Sequence, residues 1–137
     1  MTRVNTNRRQ EFRVESLHEP VSHYTDAVRW GDLLFVSGVA PLDKELHLVA
    51  DDVVEQARKV FLNLKEILDT AGATFADVLK ITVFLTDVRD RPRINPVRKE
   101  FFGAARPAST LVGIKELVVP GMKIEIEAVV GLRAGAL

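Results

Sequence analysis

Asp52-Val-Val-Glu-Gln-Ala-Arg-Lys-Val-Phe-Leu-Asn-Leu-Lys-Glu-Ile-Leu-Asp-Thr-Ala-Gly72 carries its own start, buried face and stop. Asp52 is a helix-capping residue, and Glu55, three positions on, is placed to return the bond in a capping box. Val53, Val54, Ala57, Phe61, Leu64, Ile67 and Leu68 then recur at helical spacing, which puts them on one stripe of a helix of about five turns. Gln56, Arg58, Lys59, Lys65 and Glu66 are left mostly facing water. Gly72 supplies the left-handed stop. The stripe reads as core packing rather than as a cofactor box.

On the N-terminal side of this helix, Tyr24 to Trp30 and Leu33 to Ser37 are two β-rich stretches separated by the turn-forming pair Gly31-Asp32. They predict a hairpin whose second strand is apolar enough to be central. Phe12 and Val14 alternate weakly as a first short strand, and Pro20 interrupts the chain after it. Residues 1–10 hold Arg3, Asn5, Asn7, Arg8 and Arg9 and almost nothing that could pack, so they read as a flexible arm before a single domain over residues 11–137. On the C-terminal side, Val78 to Leu85 predicts a strand. Asn95-Pro96 predicts the start of a second, shorter helix, because asparagine caps well and proline suits the first helical position. Val97, Phe101 and Phe102 would turn inward. Ser109 to Ile114 and Lys123 to Val130 read as two last strands, joined by a loop turning at Pro120-Gly121. The order is β-β-(β)-α-β-α-β-β, an α+β chain.

Bulk properties set the outer limits. At 137 residues and 47% hydrophobic content the chain has material for one core and too little for two ordinary domains. Nineteen basic residues balance nineteen acidic ones, so no net field draws the protein to nucleic acid or to an anionic membrane. No apolar run approaches the roughly 20 residues needed to cross a bilayer. The absence of cysteine removes disulfides, thiolate metal sites and thiol nucleophiles together, and the opening Met-Thr-Arg-Val-Asn lacks a secretory apolar run. A soluble, cytoplasmic protein is expected. His18, His23 and His47 do not fall at metal-ligand spacing with carboxylates, and there is no phosphate-cradling Gly-rich loop, so no metal and no cofactor are expected.

Several segments line up in order with one family. They are Tyr24, then Ala27-Val-Arg-Trp-Gly-Asp-Leu-Leu-Phe-Val-Ser-Gly38, Gln56-Ala57, Thr82-Val-Phe-Leu-Thr-Asp87, Phe101-Phe102, Arg106-Pro-Ala108 and Lys123-Ile-Glu-Ile-Glu-Ala128. Across residues 20–131 the chain resembles the Rid/YjgF family of reactive-intermediate imine and enamine deaminases. Each motif is modest alone, and their joint order and spacing carry the resemblance. It implies a chorismate-mutase-like fold, with a mixed, mostly antiparallel sheet backed by two helices. It also implies a homotrimer with small-molecule sites in the clefts between subunits. A sheet with helices on one face must cover its other apolar face, and a trimer provides that cover.

In the deaminating branch an arginine directly after Pro-Ala binds the substrate carboxylate, a task suited to a planar fork of N–H donors that stays charged. Here Pro107-Ala108 is followed by Ser109, which removes the charge and the fork. The resemblance therefore implies a branch lacking the usual clamp. Arg106 is a weaker candidate to replace it, since strand parity sets it opposite Ser109 and a surface arginine is the plainer reading. Ser109 and Thr110 can still offer hydroxyl and backbone donors.

Glu125 matches the family glutamate that orients the attacking water or moves a proton at the C=N carbon. Lys123, Glu125 and Glu127 alternate with Ile124, Ile126 and Ala128, so a solvated strand face is the competing reading for these charges. Tyr24 matches the tyrosine at the cleft mouth, with an interface anchor as the alternative. His23, beside it, is a candidate acid or base or a loop histidine in water. Ser37-Gly38 ends the central strand where a ligand can approach the backbone, and no His-Asp relay makes Ser37 a nucleophile. Phe84 matches a pocket aromatic, with core packing as its alternative. Asn95 reads as a helix cap.

The leading expectation is a deaminase that releases ammonia by water attack on the C=N bond of a small conjugated acid, an aminomuconate-type ring-cleavage product being the example. A non-catalytic trimer binding a small metabolite is the alternative. A ribonuclease or translation inhibitor is opposed by the neutral charge and by the lack of a basic and aromatic stripe.

Overall fold

A computed structural model describes residues 8–133 of the chain. The arm expected over residues 1–10 thus lies outside the described residues up to position 7, and Gln10 already opens the first strand. The strands are β1 Gln10–Phe12, β2 Ala27–Trp30, β3 Leu33–Val39, β4 Val78–Leu85, β5 Ala108–Gly113 and β6 Ile124–Gly131. The helices are α1 Val53–Ala71 and α2 Arg91–Phe102. They build one sheet in the order β1-β2-β3-β6-β4-β5. Among the described residues β4 and β5 run parallel and the other neighbouring pairs antiparallel. The parallel pair follows from α2, which carries the chain back across the sheet between them. The mixed α+β architecture expected from the sequence is the one observed.

Alternation along the strands sorts the two faces of the sheet. Leu34 and Val36 of β3, Ile81, Val83 and Leu85 of β4, and Ile124, Ile126 and Val130 of β6 are buried on the face that carries the helices. Against them α1 lays Val53, Ala57, Val60, Phe61, Leu64, Ile67 and Leu68. Asp52 caps α1 by accepting from the Glu55 backbone N–H at 3.2 Å, and Gly72 closes it at φ 74°. Glu55 does not complete the box; its carboxylate meets Arg58 at 2.9 Å. Phe61 of α1 stacks on Phe101 and meets Phe102 edge-on, which fastens α2 to α1.

Two further expectations fail here. Asn95-Pro96 does not begin the second helix, which starts at Arg91 one turn earlier with Pro92 in its first turn. A 3₁₀ turn over Val88–Asp90, capped by Asp87, feeds directly into it, and buried Ile94 draws the extra turn onto the core. Gln56 does not face water. It is fully buried, donating to the carbonyls of Ala50 at 2.8 Å and Gly121 at 3.0 Å and accepting from the Lys123 N–H at 2.7 Å. A buried amide with its donors and acceptor matched costs little to bury and ties two loops to α1.

Candidate functional site

The loop pinned by Gln56 delivers β6, and two residues past Lys123 stands Glu125. Its partner across β4 is Phe84, and Glu127 lies opposite Thr82. On the far side of β4 the parallel register sets Thr110 beside Thr82 and Val112 beside Phe84. These six side chains therefore share the outer face of the sheet, away from the helices. Glu125 is half-buried among them. Burial, and then the neighbouring charge of Glu127, push its carboxyl above the ordinary glutamate value of 4.5.

The β3–β6 register shifts between Val36 and Val39, so Ser37 and Gly38 sit in an irregularity of the central strand. The Glu125 carboxylate lies over Gly38. A methyl group built there would stand 1.9 Å from Glu125 Oε1 and 2.9 Å from the carboxyl carbon. Only glycine leaves room for this placement. Ser37 spends its hydroxyl proton on the Thr25 carbonyl at 2.6 Å, which is further reason against a nucleophilic role. Tyr24, Ser37 and Gly38 line one crevice of about 20 Å³ with His18, Asp26 and, from α1, Asn63 and Ile67, a lining that does not include Glu125. That is room for a single water-sized group. The Tyr24 hydroxyl accepts from the Val21 N–H at 3.3 Å, and its ring is exposed. His23 is exposed on the neighbouring bend.

Ser109 is not brought to this group. Its register partner is buried Ile81, so it points to the helix side while Thr110 points to the Glu125 side. The Ser109 hydroxyl instead accepts from Arg98 Nη2 on α2 at 3.0 Å. Arg98 stands in the wall of an open pocket of about 920 Å³ between α2 and the loop before β5, with Asn95, Lys99, Phe102, Arg106 and Pro107. Asn95 is thus a pocket residue on the helix body rather than a cap. Arg106 is exposed in that loop. Among the described residues no group of three or more His, Asp or Glu side chains is placed to hold a metal ion, and no helix is long and apolar enough to cross a membrane.

Sequence reasoning missed Gln56, His18 and Arg98. Gln56 had a signal in its place within the Gln56-Ala57 motif. Arg98 had none, because its partner Ser109 lies on another element.

A single sheet, helices on one face and a carboxylate laid over a bare backbone on the other define a small α+β protein of the YjgF/L-PSP fold. The model of the family described as Endoribonuclease L-PSP matches residues 15–132. A RutC family protein of Pyrococcus abyssi is 38% identical over 116 residues, covering 84% of this chain and 91% of the relative. A 2-iminobutanoate/2-iminopropanoate deaminase of Salmonella typhimurium is 35% identical over 118 residues, covering 84% and 91%. Among solved structures, E. coli TdcF with bound serine superposes with a TM-score of 0.82 at 32% identity, covering 90% of this chain and 99% of that one. The chain belongs to the Rid/YjgF family.

Proposed function

We propose that the protein is a cytoplasmic homotrimeric deaminase that hydrolyses the C=N bond of a small conjugated imino acid, of the kind formed when an aminomuconate-type enamine tautomerises. The observation that carries this reading is the Glu125 carboxyl, raised by burial and held over Gly38 beside the flat ring of Phe84. In its ionised form it takes a proton from water as the oxygen adds to the imine carbon. That proton passes to nitrogen to give a carbinolamine; the carboxylate then takes the remaining hydroxyl proton and hands it to the amino nitrogen as the C–N bond breaks, so that ammonia leaves and a ketone remains. Phe84 offers a stacking face for a planar substrate, and the Tyr24 hydroxyl and ring close the mouth of the cleft. The deaminase relative from Salmonella supports the reaction class. A conjugated acid is favoured because Ser109 stands where the family's carboxylate-binding arginine is expected.

The trimer is supported by the outer face itself. Trp30, Leu33, Phe35, Leu79 and Val112 are large, apolar and exposed there, an arrangement that monomers seldom present. Covering this face with other copies would place the cleft between subunits. RNA cleavage, carried in the family's description, lacks support in a chain whose charges balance.

Ammonia release from 2-aminomuconate and from 2-iminopropanoate, measured beside an arginine-bearing relative, tests the proposal. Turnover of the conjugated acid at a rate well above that of the simple imine is expected. No ammonia from either, with the control active, refutes it.

A further inference from the structure

Arg98 is the feature that the proposed reaction has not absorbed. Its neighbours Arg58, Arg89 and Arg93 each meet a carboxylate, at 2.9, 2.8 and 2.7 Å. Among the described residues Arg98 has no carboxylate within ion-pair distance, although it is half-buried. Burial alone pulls its pKa down, with no acid nearby to oppose the effect. A guanidinium carries five N–H donors, and the Ser109 hydroxyl takes one of them at 3.0 Å. The remaining donors front a pocket that also carries Lys99 and Arg106, the amide of Asn95, the apolar wall of Phe102, and no acidic residue. Three cations around a pocket of small-molecule size, without an internal counter-charge, form a binding site for an anion.

We propose that Arg98, oriented by the Ser109 hydroxyl, is the carboxylate-binding group of this protein, delivered from α2 to the edge-strand position where the family places an arginine on β5 itself. The choice of a carboxylate rests on the deaminase reading above. A guanidinium arriving from the helix reaches the same end of the edge strand with a planar fork, so the acid is still clamped in a bidentate manner. Its approach from the helix side changes where the rest of the substrate lies. This favours an acid with length between its carboxylate and its C=N carbon over a two- or three-carbon imino acid. Arg98 and Glu125 lie on opposite faces of one sheet, so one substrate touches both only where the β5 edge of one subunit meets the Glu125 face of another.

The test is calorimetric titration of muconate, a conjugated dicarboxylate with no C=N bond, into the full-length protein at physiological salt. Wild type is expected to bind it. Arg98→Met should weaken binding roughly tenfold or more, and Arg98→Lys should restore only part, because a lysine lacks the fork. Ser109→Ala should cost severalfold. Unchanged affinity in Arg98→Met, no binding by wild type, or inorganic phosphate competing on equal terms with muconate would each overturn the proposal, the last by marking an undifferentiated basic patch. Binding requires no turnover, so the two readings fail separately. Intact Arg98-dependent binding without ammonia release removes the deaminase and leaves the clamp, and ammonia release untouched by Arg98→Met removes the clamp and leaves the deaminase.

Discussion

At the scale of single residues, Glu125 and Gly38 form one device. The atom that a Gly38 methyl would strike is the far end of a flexible side chain, so Gly38→Ala should displace the carboxylate rather than the strand. Its melting temperature should stay within a few degrees of wild type while ammonia release falls by roughly tenfold or more, the size of effect expected when a proton-transfer group is misplaced. An equal loss of both would show that Gly38 serves packing. The raised carboxyl also has a thermodynamic signature. A folded-state value above the unfolded one means that ionising Glu125 disfavours the fold. The cost is absent below the unfolded value, grows as pH rises between the two, and is complete above the folded one. Glu125→Gln should therefore melt higher than wild type at pH 7, with the gap closing toward pH 4. Such a gain on removing a charged group is what a site held against stability produces.

At the scale of elements, legibility depended on how local the signal was. The bounds and buried stripe of helix α1 were legible because its cap, stripe and stop all lie within its own sequence, although Glu55 turned to Arg58 instead of closing the box, and β4 was legible to the residue because its flanks end the pattern. Asn95-Pro96 misled because a good start signal was overridden by Pro92 and by the pull of Ile94 onto the core. Gln56 misled because a glutamine on a helix reads as solvated until the carbonyls of Ala50 and Gly121 and the N–H of Lys123 arrive from segments far along the chain. Gln56→Leu keeps the volume and strands those three backbone groups. A loss of about 3 kcal/mol is expected from their unmet hydrogen bonds. Urea denaturation should show it, and hydrogen exchange should quicken at Lys123. Motif alone made Glu125 a candidate, whereas its seat over Gly38 needed the strand irregularity that no alternation pattern announces.

At the scale of the whole molecule, the helix-bearing face of the sheet is covered within one chain, whereas Trp30, Leu33, Phe35, Leu79 and Val112 stay exposed on the outer face. The proposed site shares that division, with Glu125 on the outer face and Arg98 at the β5 edge. Mixing Glu125→Gln with Arg98→Met, each of low activity alone, and letting the subunits exchange should restore about a quarter of wild-type activity, the share of clefts that receive both intact groups in a symmetric ring. No recovery would show that each chain carries its own complete site. The reaction itself is tested most directly by the rate of ammonia release from 2-aminomuconate as a function of pH, for wild type and Glu125→Gln. Wild-type kcat/KM should fall on the acid side with a midpoint above 4.5, and Glu125→Gln should lose that limb together with a hundredfold or so of rate. A Glu125→Gln protein that releases ammonia at the wild-type rate, with the acid limb unmoved, would contradict it.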